Sequence, residues 1–247
     1  MNLFRADLHV HTSASPDCRS SLEAVARAAR AAGLDAAAIT DHDLCTPVPA
    51  SLEGVLLIPG CEVSTRAGHI TGLFLDRPLP LEALGRLPAP EDAVAAIHQA
   101  GGLAVLAHPF HRPGAEPEKF TFPLDGMETA NARAAFKVPD ANGRAAALAA
   151  ARGLAAVGGS DGHDAAEVGN ACTELEAEEL SLPALRSALA AGRSRGILIK
   201  NTAHFRKGLS QWTKARRGES LPRLGKAAAY MGYCLLLDIC RAGRGKG

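Results

Sequence analysis

Short apolar runs alternate with helical patterns along most of the chain. The apolar runs predict buried strands near residues 7–12, 36–40, 55–58, 69–74, 103–107, 126–128 and 154–157. Helical patterns, several closed by glycine, predict helices at residues 24–32, 81–87, 91–100, 142–152 and 182–191. Such alternation with short connections favours parallel strands joined by crossover helices, closed or nearly closed into a barrel. A doubly wound open sheet is the competing architecture.

Polar side chains gather where the predicted strands end. His9 and His11 lie two residues apart in a strand and therefore share one face, and Asp161 and His163 repeat that spacing. In parallel barrels the chemistry lies at the carboxyl ends of the strands. His69 is the exception, because it begins a predicted strand. The candidate set is His9, His11, Asp17, His42, Glu62, His69, His108, Asp161 and His163.

These residue types predict a metal centre. Mixed imidazole and carboxylate ligands suit Mn, Zn or Fe better than Ca. One ion takes about three or four protein ligands, so the set fits two or three divalent ions, with Glu62 as a bridge. Such ions would turn a bridging water into hydroxide and neutralise a phosphoryl group. The same centre can attack an amide or lactone carbonyl, so the ligands alone leave the reaction open. Asp7 and Asp43 are expected to orient ligands instead of binding metal.

Composition and charge add a second region. The chain has 247 residues, 47% of them hydrophobic and 4% aromatic, which suits one aliphatic domain with a tail. From Lys200 onward there are eleven Lys and Arg residues against two acidic ones, although the formal net charge is only +1. We therefore divide the chain into a domain at residues 1–199 and a basic extension at residues 200–247.

The basic extension has two interpretations. Its basic residues, with Phe205 and Trp212 among them, can contact single-stranded nucleic acid. Alternatively, it is an amphipathic helical appendage that packs Trp212 and Leu224 on the domain. The basic residues concerned are Arg206, Lys207, Lys214, Arg216, Arg217, Arg223 and Lys226.

The remaining features predict a cytoplasmic protein. The six cysteines form no Cys-x-x-Cys pair and are expected to be reduced thiols. The first motif begins so early that we expect no signal peptide. The longest apolar stretch near the C-terminus is interrupted by Gly232 and Asp238, so no membrane span is expected.

Five motifs in order resemble those of the PHP (polymerase and histidinol phosphatase) superfamily, over roughly residues 3–196. The resemblance implies a distorted α/β barrel of (β/α)7 type with a trinuclear metal centre that hydrolyses phosphoesters, here with a short basic C-terminal helical extension. The motifs are Asp7-Leu8-His9-Val10-His11-Thr12 with Ser15-Pro16-Asp17, Ile39-Thr40-Asp41-His42-Asp43, Gly60-Cys61-Glu62, Ala107-His108-Pro109 and Gly159-Ser160-Asp161-Gly162-His163.

The resemblance also implies how the ligands divide among three ions. The first ion would take His9, His11, Glu62 and Asp161; the second Glu62, His69 and His108; the third Asp17, His42 and His163. Relatives often place a phosphate-binding Arg after the His-Pro motif, so Arg112, with His111 beside it, is the candidate for substrate binding, and a solvated loop Arg is the alternative.

One departure limits the transfer of a substrate. Members similar to nucleotide 3′-phosphatases and exoribonucleases carry a sizeable domain between the Glu and His-Pro motifs, whereas Glu62 to His108 is short here. We therefore predict a metal-dependent phosphoesterase acting on a small phosphorylated substrate, a phosphomonoester or nucleotide. The alternatives are a nuclease for short single-stranded nucleic acid and a catalytically silent metal-binding module.

Overall fold

A computed structural model of the chain describes residues 1–218 and 221–244. Residues 219–220 and 245–247 of the predicted extension lie outside the described residues. The strands are β1 (Asn2–Val10), β2 (Ala36–Ile39), β3 (Ser51–Leu52), β4 (Val55–Thr65), β5 (Gly68–Leu73), β6 (Leu103–Leu106), β7 (Gly126–Asn131), β8 (Ala155–Gly159), β9 (Ala171–Ala177) and β10 (Ser194–Leu198). The helices are α1 (Leu22–Ala31), α2 (Leu81–Leu84), α3 (Pro90–Gln99), α4 (Ala141–Arg152), α5 (Leu182–Ala190), α6 (His204–Arg217) and α7 (Leu221–Arg244).

The strands form one sheet that curls into a nearly closed barrel. Its order is β10-β9-β1-β2-β4-β5-β6-β7-β8, with the short β3 paired to β4. The chain after β8 returns to β1, where the N–H of Asp161 donates to the carbonyl of His9 at 2.8 Å and Val10 bridges Gly162. The predicted α/β barrel and its helical C-terminal region are therefore confirmed.

The expectation of purely parallel strands was wrong. The pairs β1–β2, β2–β4, β6–β7 and β7–β8 are parallel, but β4–β5, β5–β6, β1–β9 and β9–β10 are antiparallel. Only residues 66 and 67 separate β4 from β5, and a crossover between parallel strands needs about a dozen residues or more. The sequence analysis also missed β9 and β10, which extend the sheet beyond β1.

Glu62 lies inside a strand, and the expectation that it follows the end of one was wrong. β4 pairs with β2 as far as Pro59 and then continues to Thr65 in a hairpin with β5. Gly60 permits this change of partner, because a Cβ there would meet the carbonyl oxygens of Gly72 at 2.9 Å and Ile39 at 3.1 Å. Glu62 thereby projects beyond the last paired residue of β2.

The core is aliphatic and rich in alanine, as the composition predicted. Helices α1, α3, α4 and α5 pack against the strands of the barrel. Leu8, Ile58 and Leu189 are at most 1% exposed, and they lie among small alanines that let the helices approach closely. Ser21 caps α1 by accepting a hydrogen bond from the N–H of Ala24 at 3.3 Å. This packing fixes the strand ends that carry the candidate ligands.

Helices α6 and α7 form a hairpin, here called the C-terminal hairpin, which packs against the end of the barrel that carries the candidate ligands. The N–H of Thr202 donates to the carbonyl of Ala132 at 2.8 Å, and Arg206 pairs with Asp164 at 3.0 Å. Trp212 and Leu224 are each half-buried. The division of the chain at residue 199 stays a prediction. Within residues 1–218 and 221–244, no helix combines the length and apolar character that a bilayer-spanning segment needs.

Candidate metal centre

All nine predicted ligands meet at one end of the barrel, where the parallel strands end. His69 was the exception in the sequence because it begins a strand. Since β5 is antiparallel to β4 and β6, the start of β5 lies at the edge where those two strands end, and His69 therefore joins the other ligands. The N–H of Ala107 accordingly donates to the carbonyl of His69 at 3.1 Å, which places His69 beside His108. The role of the nine residues as metal ligands stays a prediction.

Glu62 is at the centre of the cluster and is fully buried. Its Oε1 lies 2.7 Å from Nδ1 of His69 and 3.1 Å from Nε2 of His108. Its Oε2 lies 3.2 Å from Nε2 of His9, 3.4 Å from Nε2 of His11 and 2.9 Å from Nδ1 of His42. The two carboxylate oxygens thus face two different groups of imidazoles, which is the arrangement that a bridging ligand requires.

Two aspartates complete the other side of the cluster. Oδ1 of Asp161 lies 3.6 Å from Nε2 of His11 and 3.4 Å from Nδ1 of His163. The two oxygens of Asp17 lie 3.6 Å from Nε2 of His163 and 3.7 Å from Nε2 of His42. Asp161 adopts a positive φ of 54°, so the backbone is strained at the residue that turns this carboxylate toward the histidines.

Several of these atoms approach one another without forming hydrogen bonds. Nε2 of His9, Nε2 of His11, Oδ1 of Asp17 and Oε2 of Glu62 are buried and have no hydrogen-bond partner in the part of the chain that the structure describes. Unsatisfied buried polar atoms are costly, and four converging in one place indicate a shared ligand. Among the described residues, four groups of three ligand atoms lie within 4.8 Å of one another. The donor set therefore fits divalent transition metals, although these groups overlap and do not fix which residue would serve which ion.

The charges in the cluster are strongly coupled. Burial raises the pKa of the Glu62 carboxyl, but the imidazoles of His69, His9 and His42 outweigh burial and hold that pKa well below its usual range. Burial lowers the pKa of His42, yet Glu62 and Asp17 raise it to about 9. These carboxylates therefore stabilise protonated imidazoles, and a divalent cation would have to displace those protons.

Glu128 orients two of the candidate ligands, and the sequence analysis missed it. Nδ1–H of His9 donates to Oε1 of Glu128 at 2.9 Å, which leaves Nε2 as the His9 nitrogen that a metal would bind in place of a proton. Oε2 of Glu128 accepts the N–H of His108 at 2.7 Å and the side-chain amide of Asn131 at 2.9 Å. The only sequence signal was an acidic residue within the apolar start of β7.

A second chain of hydrogen bonds supports the opposite side. Asp41 is fully buried and accepts hydrogen bonds from Thr12, from Thr46 and, at 2.6 Å, from the hydroxyl of Ser15. Ser15 in turn contacts Nδ1 of His11 at 3.2 Å and the N–H of His42 at 3.0 Å. In the sequence, Asp41 and Ser15 stand out only as parts of motifs, and their supporting role was not predicted.

Asp7 and Asp43 act on the backbone. Asp7 accepts the N–H groups of Ser160 at 2.8 Å and Gly169 at 2.9 Å, and Asp43 accepts the N–H of Ser64 at 2.7 Å. Each therefore fixes a segment next to the cluster. That they support ligands instead of binding metal themselves stays a prediction.

The candidate substrate-binding residues lie at the mouth of the centre. Nδ1 of His111 is 2.8 Å from the carbonyl oxygen of His108, and Nε of Arg112 donates to Nε2 of His111 at 3.0 Å. Both side chains line a cavity of about 900 Å³ together with His42, His69 and His108. The other wall of this cavity belongs to the C-terminal hairpin. The role of His111 and Arg112 in binding substrate stays a prediction.

Comparison with known proteins agrees with this geometry. The PHP domain model matches residues 7–104, and the PHP-associated model matches residues 139–194. An uncharacterized protein of Methanocaldococcus jannaschii is 31% identical over 145 residues, which are 52% of this chain and 82% of that protein.

Solved structures share the fold. A two-domain protein of Bacteroides vulgatus containing a predicted PHP-like metal-dependent phosphoesterase has a TM-score of 0.61 at 23% identity, over 80% of this chain and 65% of that chain. For PsfC of Pseudomonas syringae the TM-score is 0.56 at 22% identity, over 88% and 99% of the two chains. A lesion-specific endonuclease of Pyrococcus furiosus has a TM-score of 0.57 at 17% identity, over 79% and 58%.

The chain thus spans 65% of the length of the Bacteroides vulgatus chain that it resembles, and identities below 25% show the fold alone. The family models, by contrast, cover eight of the nine candidate ligands, from His9 and His11 in the first to Asp161 and His163 in the second, and His108 lies between the two matches. The match to both models, the 31% identical relative and the barrel show that this chain belongs to the PHP family.

Proposed function

We propose that this protein is a metal-dependent phosphoesterase that hydrolyses a small phosphorylated substrate, a phosphomonoester or nucleotide, at a centre of two or three divalent ions. The observation that carries the proposal is the position of Glu62. Its two oxygens face separate groups of imidazoles, and unsatisfied ligand atoms converge on the same place. Mn, Zn and Fe all suit this mixture of ligands.

The chemistry divides between the ions and the chain. When bound, the ions would lower the pKa of a water molecule and neutralise charge on the phosphoryl oxygens. Glu128 keeps the proton of His9 on Nδ1 and so keeps Nε2 available to an ion. Arg112, whose guanidinium has a planar donor fork, would bind phosphoryl oxygens at the mouth of the cavity.

A second candidate function is a nuclease for short single-stranded nucleic acid. The observation that favours it is the basic wall that the C-terminal hairpin adds to the cavity, through residues such as Lys214 and Lys226. The similarity in fold to the Pyrococcus furiosus endonuclease is compatible with this role. A 5′-phosphorylated tetranucleotide, assayed for mononucleotide release, distinguishes it from a phosphatase that releases only inorganic phosphate.

The test compares the wild-type chain with Glu62→Ala after loading with Mn or Zn. We expect the wild type to bind two or three ions per chain and to release phosphate from an aryl phosphate or a nucleotide panel. Glu62→Ala should lose both properties, because it removes the ligand shared by both groups of imidazoles. Glu176→Ala, which removes an exposed carboxylate from β9, is the matched control.

Three results would contradict the proposal. Full activity in protein stripped of metal would exclude the mechanism. Unchanged metal binding in Glu62→Ala would exclude Glu62 as the bridge. Tight metal binding and strong thermal stabilisation by metal, without turnover on any phosphoester, would instead indicate a catalytically silent metal-binding module.

A further inference from the structure

The C-terminal hairpin begins beyond residue 194, where the second family match ends, yet specific contacts hold it against the candidate centre. The guanidinium of Arg217 donates to the carbonyl oxygens of Ser13, Ser15 and Cys18 at 3.2, 2.5 and 3.0 Å. Those residues form the loop that carries Asp17. The last turn of α6 is therefore attached to the loop of a predicted metal ligand.

A buried contact fixes the middle of α6. Arg133 forms two 2.8 Å hydrogen bonds with Glu167 and a third with the hydroxyl of Ser210 on α6 at 3.3 Å. Lys207 donates to the carbonyl of Arg133, and its ammonium lies 4.7 Å from the centre of the Phe136 ring. Because these contacts are directional and largely buried, the hairpin has a defined position over the cavity.

The hairpin gives the cavity a cationic wall opposite the histidines. Lys214, Arg223 and Lys226 line the same 900 Å³ space as His42 and His69. Lys214 lies closest to the centre, with Nζ 3.9 Å from Oδ2 of Asp17. Among residues 1–218 and 221–244, Asp17 is the one carboxylate within 4.0 Å of these three cations, and it lies beside Lys214.

The position of this charge restricts the substrate. A phosphoryl group at the centre would be neutralised by the ions and by Arg112, and it would lie near Lys214. Arg223 and Lys226 are three residues apart in α7 and therefore share one helix face. Lys and Arg are the side chains that bind phosphate. A cavity of 900 Å³ has the size that small-molecule sites occupy.

We propose that Arg223 and Lys226 form a second anion subsite, so that the preferred substrate is a phosphomonoester carrying a second phosphate that does not react. This inference rests on the proposed phosphoesterase function. A small bisphosphate and a 5′-phosphorylated oligonucleotide share this chemistry. In the bisphosphate, the phosphate that does not react is a terminal ester. In the oligonucleotide, it is the next phosphodiester of the strand.

The test uses substrates that differ only in the second phosphate. Metal-loaded enzyme is assayed on 1,n-alkanediol bisphosphates of increasing length and on the matching n-alkyl monophosphates, with a 5′-phosphorylated thymidine tetranucleotide as a separate arm. The variant Arg223→Gln/Lys226→Gln removes the subsite. The control Arg216→Gln/Arg241→Gln removes the same charge from exposed positions of the same two helices, outside this cavity.

We expect one chain length of bisphosphate to exceed its monophosphate by about tenfold or more in kcat/KM, as charged hydrogen bonds typically give. The subsite variant should lose this advantage through KM and leave the monophosphate unchanged, while the control variant keeps it. A preference for the tetranucleotide over every bisphosphate would identify the second anion as a phosphodiester. Equal loss on both substrates would overturn the subsite, because the cations would then act on the reacting phosphate.

Direct binding separates this inference from the proposed function. Hexane-1,6-bisphosphonate and hexylphosphonate, which cannot be hydrolysed at the C–P bond, are titrated into the metal-loaded protein by calorimetry. Tighter binding of the bisphosphonate, lost in the subsite variant, would support the subsite even if no ester were hydrolysed. Equal binding of both probes would overturn the subsite even if the enzyme were an active phosphatase.

Discussion

Replacing Glu128 by Gln should move the proton of His9 and thereby remove a metal ligand. The carboxylate of Glu128 is 1% exposed and accepts three hydrogen bonds, one on Oε1 from His9 and two on Oε2 from His108 and Asn131. A glutamine of the same shape has only one oxygen. If that oxygen accepts the hydrogen bonds of His108 and Asn131, the NH₂ group of the glutamine faces Nδ1 of His9.

His9 must then accept at Nδ1 and carry its proton on Nε2, the atom that lies 3.2 Å from Oε2 of Glu62. A protonated Nε2 cannot bind a metal. The opposite amide orientation would leave the buried N–H of His108 without an acceptor, at a cost of about 1–3 kcal/mol, and would leave the amide of Asn131 with Asp161 alone as acceptor. The first orientation is therefore preferred. Loss of such supporting groups typically lowers metal affinity by about 10–100-fold, or roughly 1.4–2.7 kcal/mol.

The assay titrates Zn into each chain against a competing chelator and follows the imidazole nitrogens by ¹⁵N NMR. We expect Glu128→Gln to bind Zn about 10–100-fold more weakly. In metal-stripped protein the variant should have a lower His9 pKa, because a neutral amide replaces a carboxylate that raises it, and neutral His9 should carry its proton on Nε2. Glu176→Gln makes the same change of charge on the exposed face of β9 and should behave as wild type. Wild-type affinity in Glu128→Gln, with the His9 proton still on Nδ1, would refute this reasoning.

Four further predictions concern stability. The pKa of His42 is raised to about 9, since Glu62 outweighs burial, so this pair stabilises metal-stripped protein fully below pH about 6.5. As pH rises to about 9, the free energy of unfolding measured by chemical denaturation should fall by on the order of 3 kcal/mol. A flat profile would contradict this prediction. Glu167→Gln breaks the buried pair with Arg133 and should cost about 3 kcal/mol or more in urea unfolding, with a wild-type midpoint as the refuting result. Arg217→Gln removes its three hydrogen bonds to carbonyls and should speed amide exchange in α6, whereas unchanged exchange would show that the hairpin does not depend on it. Gly158→Ala would place a Cβ 2.1 Å from the carbonyl oxygen of Cys172, so we expect insoluble or strongly destabilised protein, and a wild-type melting temperature would exclude this steric argument.

The sequence was sufficient to predict which residues meet, because their spacing carries geometric information. Residues two positions apart in a strand share one face, as His9 and His11 do at the end of β1. Runs that end in Asp or His also identified the correct edge of the barrel. Both inferences depend on local periodicity, which a single chain displays directly.

The sequence was insufficient where strand direction and supporting contacts matter. Direction depends on which strands pair, so neither the antiparallel β5 that brings in His69 nor the continuation of β4 through Glu62 could be inferred from local pattern. Glu128 supports His9 from another strand, 119 residues away. The place of the C-terminal hairpin over the cavity likewise arises from tertiary contacts, such as Arg217 with the loop at Ser13.

The most direct test of the central claim is anomalous scattering from crystals grown with Mn²⁺ and soaked in sulfate. We predict two or three metal peaks, two of them bridged by the oxygens of Glu62, with a sulfate on the side of Arg112. Peaks elsewhere, or none near Glu62 after incubation with the metal, would contradict the account.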